Sequence, residues 1–166
     1  MTDTASNLRL RPTLESDLEF VLAAEQDENN SPYIGQWSRQ QHLDTFTNPD
    51  FLHLVAENTA ENRQIGYVIL QDINSPDLSL QLRRIVVTEK SKGYGTEVLR
   101  QVKRLAFKQL SVHRLWLDVK SNNERARRVY LAQGFVEEGI LRECVKTGEC
   151  FESLIIMSLL RQEYNA

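Results

Sequence analysis

The run KSKGYG at residues 90–95 sets two lysines and two glycines between an apolar stretch, IVV at residues 85–87, and an amphipathic one that begins near Thr96. The first turn of a helix carries N–H groups without partners and a partial positive charge. Glycine lets an anion come close to that backbone, and Lys90 and Lys92 add charge. The stretch therefore suits a phosphate. It is not a GxxxxGK[ST] loop, and Val98 stands where a dinucleotide-binding GxGxxG needs its third glycine. On these residues alone a glycine-rich turn with solvated lysines remains an alternative, as does a nucleotide site of another kind. Tyr130, in NERARRVYLAQ, is the second residue of interest. A phenol with an ordinary pKa of about 10 is a proton donor at neutral pH. Tyr130 also shares a helical face with Ala126 and Val129, which suits a core aromatic equally well. Asn123 stands just before that helix, where a cap belongs.

These residues need a scaffold. LRLRP at residues 8–12 reads as a short strand. TLESDLEFVLAAEQ, opening on Thr13 with acidic residues behind it, repeats apolar residues at helical spacing. A polar loop with aromatic residues follows, then SRQQHLDTF, a helix capped by Ser38. FLHLVAE, RQIGYVILQD and LSLQLRRIVV read as strands. YGTEVLRQVKRLAFKQL puts Val98, Leu99, Val102, Leu105 and Ala106 on one face of a helix. RLWLDV is a strand and NERARRVYLAQ a helix that Gly134 terminates. FVEEGILREC and CFESLIIMSLL form a last strand pair. In the fourth strand Leu78, Leu80 and Leu82 keep one phase, and Ile85 and Val87 take the other. A slip of one residue flips every side chain unless a bulge absorbs it. A bulge between Arg83 and Ile85 is expected, with a bent strand and freed backbone groups as its consequence; a strand buried on both faces near its end, since Val86 is also apolar, is the alternative. Helices alternating with strands place the chain in the α/β (α+β) class.

Composition narrows the function. A chain of 166 residues fits one domain, 1–166, and a formal charge of -3 gives no bulk attraction to nucleic acid. No apolar run is long enough to span a membrane, and MTDTASNLRL lacks the apolar core of a signal peptide. Residues 1–6 read as a frayed polar leader. Cys144 and Cys150 come without a CxxC or a histidine cluster, so no metal is expected; two reduced thiols are the default and a hairpin disulfide the alternative. A soluble, cytoplasmic protein is expected.

One family unites the two chemical stretches. K-x-x-G-x-G from Lys90, followed downstream by N-x-x-A-x-x-x-Y-x-x-x-G-F from Asn123 through Ala126, Tyr130 and Gly134 to Phe135, resembles the GNAT superfamily of acyl-CoA-dependent N-acetyltransferases. The likeness spans nearly the whole chain and looks closest to the ribosomal-protein N-terminal and spermidine-type branch. It departs mildly from the pattern: Lys90 replaces a Gln or Arg, and the loop before Gly93 is shorter and lacks the frequent proline.

The resemblance implies a single domain with a mixed, mostly antiparallel sheet of about seven strands, about four flanking helices, and a splay between strands 4 and 5. It implies acetyl-CoA as cosubstrate. The pyrophosphate would lie on Lys92, Gly93, Tyr94, Gly95 and Thr96. The pantetheine arm would run along Ile85, Val86 and Val87, with a hydrogen bond to Asn123. Arg125, beside Arg127 and Arg128, would meet the 3′-phosphate, though a solvated basic face fits too. A backbone N–H near Val87 would stabilise the oxyanion, and Tyr130 would protonate the leaving thiolate. Relatives often carry a glutamate on the fourth strand, but this chain reads Leu80-Gln81-Leu82, and glutamine takes no proton. Glu152, Glu25 and Glu57 are substitutes, or none is needed: an α-amine with pKa about 7.7–8.0 is partly neutral already. Tyr33, Trp37 and Arg84 would line the acceptor site, and Trp37 equally suits a packing anchor. His53 and His113 read as structural. The acceptor would be a primary amine (a protein N-terminus, a polyamine or another small amine), and no nucleic acid, membrane or metal is expected. No cysteine falls in the motifs, so transfer would be direct. The protein would be a monomer or homodimer. A non-catalytic acyl-CoA-binding sensor is the alternative.

Overall fold

The computed structural model describes residues 7–165, so the expected polar leader at residues 1–6 lies outside the described residues. The strands are β1 (Leu8–Pro12), β2 (Phe51–Asn58), β3 (Arg63–Gln71), β4 (Ser79–Val87), β5 (Arg114–Lys120), β6 (Val136–Thr147) and β7 (Cys150–Leu160). They form one seven-stranded sheet in the order β1-β2-β3-β4-β5-β7-β6. Every neighbouring pair is antiparallel except β4 and β5, which run parallel. The helices are α1 (Leu18–Gln26), α2 (Arg39–Phe46), α3 (Tyr94–Arg104) and α4 (Glu124–Ala132). The expected class, strand number and helix number are those observed.

The sheet buries a core on each face. On one side, Leu80, Leu82 and Val87 of β4 and Leu115, Leu117 and Val119 of β5 meet Val98, Leu99 and Val102 of α3 and Tyr130 of α4. On the other, Val55, Tyr67, Ile69 and Val86 meet Leu18, Val21 and Ala24 of α1. The bulge expected in β4 is present. Leu82 pairs with Leu70 and Arg84 with Ile69, which leaves Arg83 unpaired, exposed and outside the ladder. Arg84 and Val86 consequently turn to the α1 face, while Leu82, Ile85 and Val87 pack with the α3 side.

The bend also ends the parallel ladder. β4 and β5 pair only through Ser79–Arg114, Leu80–Leu115 and Gln81–Trp116, and from Leu82 onward the strands diverge. Gly66 allows β3 to stay close beside the bent strand: a Cβ there would lie 2.3 Å from the Val86 carbonyl oxygen.

Two helices differ from their sequence reading. The first does not open at Thr13. The Thr13 hydroxyl pairs instead with His53 Nδ1 at 2.8 Å, Glu15–Asp17 form a 3-10 turn, and the helix proper starts at Leu18. Asp17 takes two hydrogen bonds from Arg11 at 2.8 and 2.9 Å, which fixes that turn on β1. The third helix does not stay α-helical to its end. It widens at Leu105–Gln109 into a π turn, with Leu110 N–H donating to Leu105 O at 2.9 Å, and so keeps Ala106 and Phe107 inside the core. Ser38 caps α2 as expected, accepting from Gln41 N–H at 3.2 Å. Cys144 and Cys150 are free and exposed; Cys150 faces Thr147 across the hairpin and Cys144 sits in a register break of β6, so the pair does not bridge. Among the described residues no helix is long and apolar enough to cross a membrane.

Candidate active site

The divergence of β4 and β5 opens a cleft of about 1170 Å³. Pockets for single small molecules run to roughly 1,000 Å³, so this one has room for two substrates side by side. Its floor is Leu82 to Val87 of β4 and Asp118 to Lys120 of β5; one end is the mouth of α3 and α4, the other the loop between α1 and α2.

At the first end, Gly93 is the N-cap of α3 with a left-handed backbone (φ 76°), and Ser91 before it is also left-handed (φ 64°). This geometry turns the chain out of β4 and directly into the helix. The first-turn N–H groups of α3 have no partner within the helix. A Cβ built on Gly93 or Gly95 would meet nothing within 4 Å, so the space in front of these amides is open. A cofactor diphosphate fits that cradle. Gly93, Tyr94, Gly95 and Thr96 all line the cleft, but the Tyr94 side chain is buried in the core and only its backbone belongs to the cradle.

The two lysines behave differently from each other. Lys92 is exposed and bonds Glu89 at 2.7 Å, and that hydrogen bond raises its pKa. Lys90 turns inward. Its Nζ donates to the Val87 carbonyl at 2.7 Å and to Asn30 Oδ1 at 2.6 Å, so it ties the end of β4 to the α1–α2 loop. Burial, followed by the charge of Arg125, holds its pKa below the ordinary lysine value. Arg125 lines the cleft and donates to Ser91 Oγ at 3.2 Å, while Arg127 and Arg128 pair outward with Glu137 and Glu124. The expected basic triplet thus supplies one residue to the cleft.

The bent part of β4 offers backbone. Thr88 N–H donates to Ile65 O of β3 at 2.9 Å. Strand alternation then aims the N–H groups of Ile85 and Val87 the other way, into the splay. Those groups can bond the amides of an extended arm or a developing oxyanion. Asn123 caps α4, its Oδ1 accepting from Ala126 N–H at 3.2 Å, and it also lines the cleft.

Tyr130 is buried against Phe135, yet it reaches the cleft wall. Burial pushes its phenol above the ordinary range and the charge of Asp118 pushes it further, so it holds its proton throughout neutral pH. Asp118 itself was not anticipated. It falls on the half-buried phase of β5 with Trp116 and Lys120, and it lines the cleft. Burial raises its carboxyl above the usual aspartate value, with Arg83 opposing. A signal was present: an acid in an otherwise apolar alternation, at the C-terminal end of a parallel strand, where open sheets place their ligands.

The three glutamates weighed as bases lie elsewhere. Glu152 pairs with Lys120 at 2.6 Å and accepts from Thr147 at 2.7 Å; Lys120 and Thr147 hold its carboxyl below the usual range, and it does not line the cleft. Glu57 is bound by Arg11 and Arg9 at the β1 edge, and Arg11 foremost keeps it ionised. Glu25 is buried behind the cleft wall. Gln81 is buried below the splay, where β4 still pairs with β5.

At the end near the α1–α2 loop Tyr33, Trp37 and Arg84, the residues expected to meet the acceptor, all line the cleft, joined by Val145 and Leu154 from the last hairpin. The Arg84 guanidinium lies 4.8 Å over the Trp37 ring. Trp37 therefore both packs and lines. Among the described residues no group of three or more His, Cys, Asp or Glu side chains is arranged to hold a metal ion.

Comparison with known proteins agrees with this geometry. Residues 7–136 match the family described as "Acetyltransferase (GNAT) domain". The chain is 26% identical, over an alignment 171 positions long, to a spermidine N(1)-acetyltransferase of Vibrio cholerae, covering 96% of each. It is 35% identical over 113 residues to a probable N-acetyltransferase of Bacillus subtilis (YjcK), covering 67% of this chain and 62% of that one. Among solved structures, the V. cholerae spermidine N-acetyltransferase in complex with CoA and spermine superposes with a TM-score of 0.86 at 24% identity, covering 95% of this chain and 98% of that one. The splayed sheet, the glycine-capped helix mouth and the family match together make this chain a member of the GNAT acetyltransferases.

Proposed function

We propose that the chain transfers acetyl from acetyl-CoA directly to a primary amine, with both substrates in the cleft at once. The observation that carries this reading is the juxtaposition at the crook of the splay. Val87, Tyr130 and Asp118 all line the cleft there, between an anion cradle and an aromatic-walled end, and the charge of Asp118 acts on the Tyr130 phenol.

Bound at the α3 mouth, coenzyme A supplies the activated thioester. The amine nitrogen attacks the thioester carbonyl carbon, and the carbonyl oxygen gains negative charge. Val87 N–H donates to that oxygen. Collapse of the tetrahedral species breaks the C–S bond; the departing thiolate takes the Tyr130 proton, and the proton lost from the amine passes to Asp118. The products are an N-acetyl amide and free coenzyme A thiol. In this assignment Asp118 takes the role weighed for Glu152, because it lines the cleft and Glu152 is committed to Lys120.

The acceptor is a primary amine: a polyamine, a peptide N-terminus or another small amine. The relatives named as spermidine acetyltransferases support a polyamine, and a Bacillus subtilis relative named as a putative ribosomal N-acetyltransferase supports a protein N-terminus. Incubation of the protein with acetyl-CoA and a panel of peptides, polyamines and aminoglycosides, read by product mass, tests the reading. An acetylated amine with stoichiometric release of thiol is expected. No mass shift across the panel, or no heat on titrating coenzyme A, would remove it.

A further inference from the structure

Behind the acceptor end lies a buried polar cluster that the reaction above does not use. Glu25 of α1 is 1% exposed. Its Oε1 accepts from the Tyr67 hydroxyl at 2.7 Å and from Arg84 Nη1, and His42 Nε2 approaches the same oxygen at 2.9 Å, off the line of a good hydrogen bond. Its Oε2 accepts the Trp37 backbone N–H at 3.2 Å, and its main-chain oxygen accepts from Gln36 Nε2 at 2.6 Å. Behind Glu25 the cluster continues: His42 Nδ1 meets His53 Nε2 at 2.9 Å, and His53 Nδ1 meets the Thr13 hydroxyl at 2.8 Å. Gly35 leaves space for the guanidinium, since a Cβ there would stand 3.2 Å from Arg84 Nη2.

Two facts set this cluster apart from ordinary packing. A buried carboxylate–guanidinium pair seldom stabilises a fold more than apolar side chains of the same volume. And of the groups Glu25 holds, Gln36, Trp37 and Arg84 all line the cleft, whereas Glu25 does not. We infer that Glu25 is a positioning residue for the acceptor: it fixes Arg84 over the Trp37 ring and pins the backbone of the α1–α2 loop, so that the wall met by the incoming amine has one shape. This rests on the assignment of that end of the cleft to the acceptor. The cofactor cradle at Gly93 and Gly95 contains none of these residues, so the two halves of the site separate in experiment.

The test uses Glu25→Gln, which keeps shape but removes the charge, and Glu25→Asp, which keeps the charge but shortens the reach. Both are made in the full chain with Trp116→Phe, so that Trp37 is the remaining tryptophan. In Glu25→Gln, Trp37 emission should shift and acrylamide quenching should increase. The acceptor KM should rise about tenfold or more, as for a buried charge left without its partner. Coenzyme A affinity by calorimetry should change less than about twofold. Glu25→Asp should recover part of both effects. If Glu25→Gln does not fold, Tyr67→Phe removes one donor without touching a charge and is read the same way, with smaller shifts. Unchanged Trp37 emission and quenching overturn the inference. So does a loss of coenzyme A affinity equal to the loss of acceptor affinity, which is what a purely structural role produces. The fluorescence result needs no turnover. If the parent protein acetylates no amine, the proposed reaction fails while the Trp37 reading still decides whether Glu25 holds this wall.

Discussion

At the scale of single residues, the proposed reaction asks Tyr130 to give a proton and Asp118 to take one. The phenol is desolvated and stays protonated; the carboxylate is desolvated too, and its ionisation shifts upward. Tyr130→Phe keeps the ring in its core position and removes the donor. Its kcat should fall about 10²-fold or more, with coenzyme A affinity by calorimetry unchanged. Asp118→Asn should lower kcat similarly, and it should also alter the pH profile. A base must be ionised to act, so wild-type rates should fall as pH drops through the Asp118 pKa, which lies above the usual aspartate value. The asparagine variant should lose that acid limb. Retention of the limb would assign it to another group.

At the scale of elements, the site is made by one extra residue in β4. Arg83 steps out of the ladder, Arg84 turns to the α1 face, and the parallel pairing with β5 ends at Gln81. β3 must follow that bend, and Gly66 is where it does so. Gly66→Ala would place a methyl 2.3 Å from the Val86 carbonyl oxygen, a backbone atom that cannot swing away. The cost should be about 1–3 kcal/mol, seen as a Tm lower by roughly 2–10 °C. Coenzyme A affinity should also drop, because the displaced segment carries the Ile85 and Val87 amides. A variant as stable as wild type with normal coenzyme affinity would show that β4 can relax without harm.

At the scale of the whole molecule, one buried histidine links the fold to pH. His53 is 6% exposed, and burial, followed by the charge of His42, lowers its pKa from 6.5 to about 3. Its folded value lies below its unfolded one, so between about pH 6.5 and 3 the unfolded chain binds the extra proton. Stability should be full above that window and fall as pH drops through it, with a slope approaching 1.4 kcal/mol per pH unit for one proton. Asp17 acts in a lower window. Arg11 depresses its carboxyl from 3.8 to about 2, and the stability this gives is lost only as pH falls below about 4. Urea midpoints measured at pH 7, 6.5, 6 and 5.5 therefore report chiefly the histidine, before the glutamates held below their ordinary value (Glu25, Glu57, Glu89, Glu138 and Glu152) contribute. His53→Gln should flatten that series, and an unchanged slope would place the proton uptake elsewhere.

Much of this protein was legible before its structure. The strands and helices largely follow from local periodicity and the slip in the LSLQLRRIVV pattern marked the bulge, because each is a short-range pattern whose physics is contained in neighbouring residues; KSKGYG with the Asn123–Tyr130 spacing marked the family. The proposed acceptor wall was only partly so. Tyr33, Trp37 and Arg84 could be named, but what holds them could not. Glu25, His42, Tyr67 and Arg84 come from α1, α2, β3 and β4, and each alone reads as a surface or core residue. The inward turn of Lys90, the commitment of Glu152 to Lys120 and the exposure of Asp118 to the cleft were likewise settled only when distant segments met. The sequence determines where the backbone is extended, helical or bent, since those preferences are local. Which buried charges pair, and so which carboxylate is left to work, depends on desolvation and partner distance, and these exist only in the folded chain.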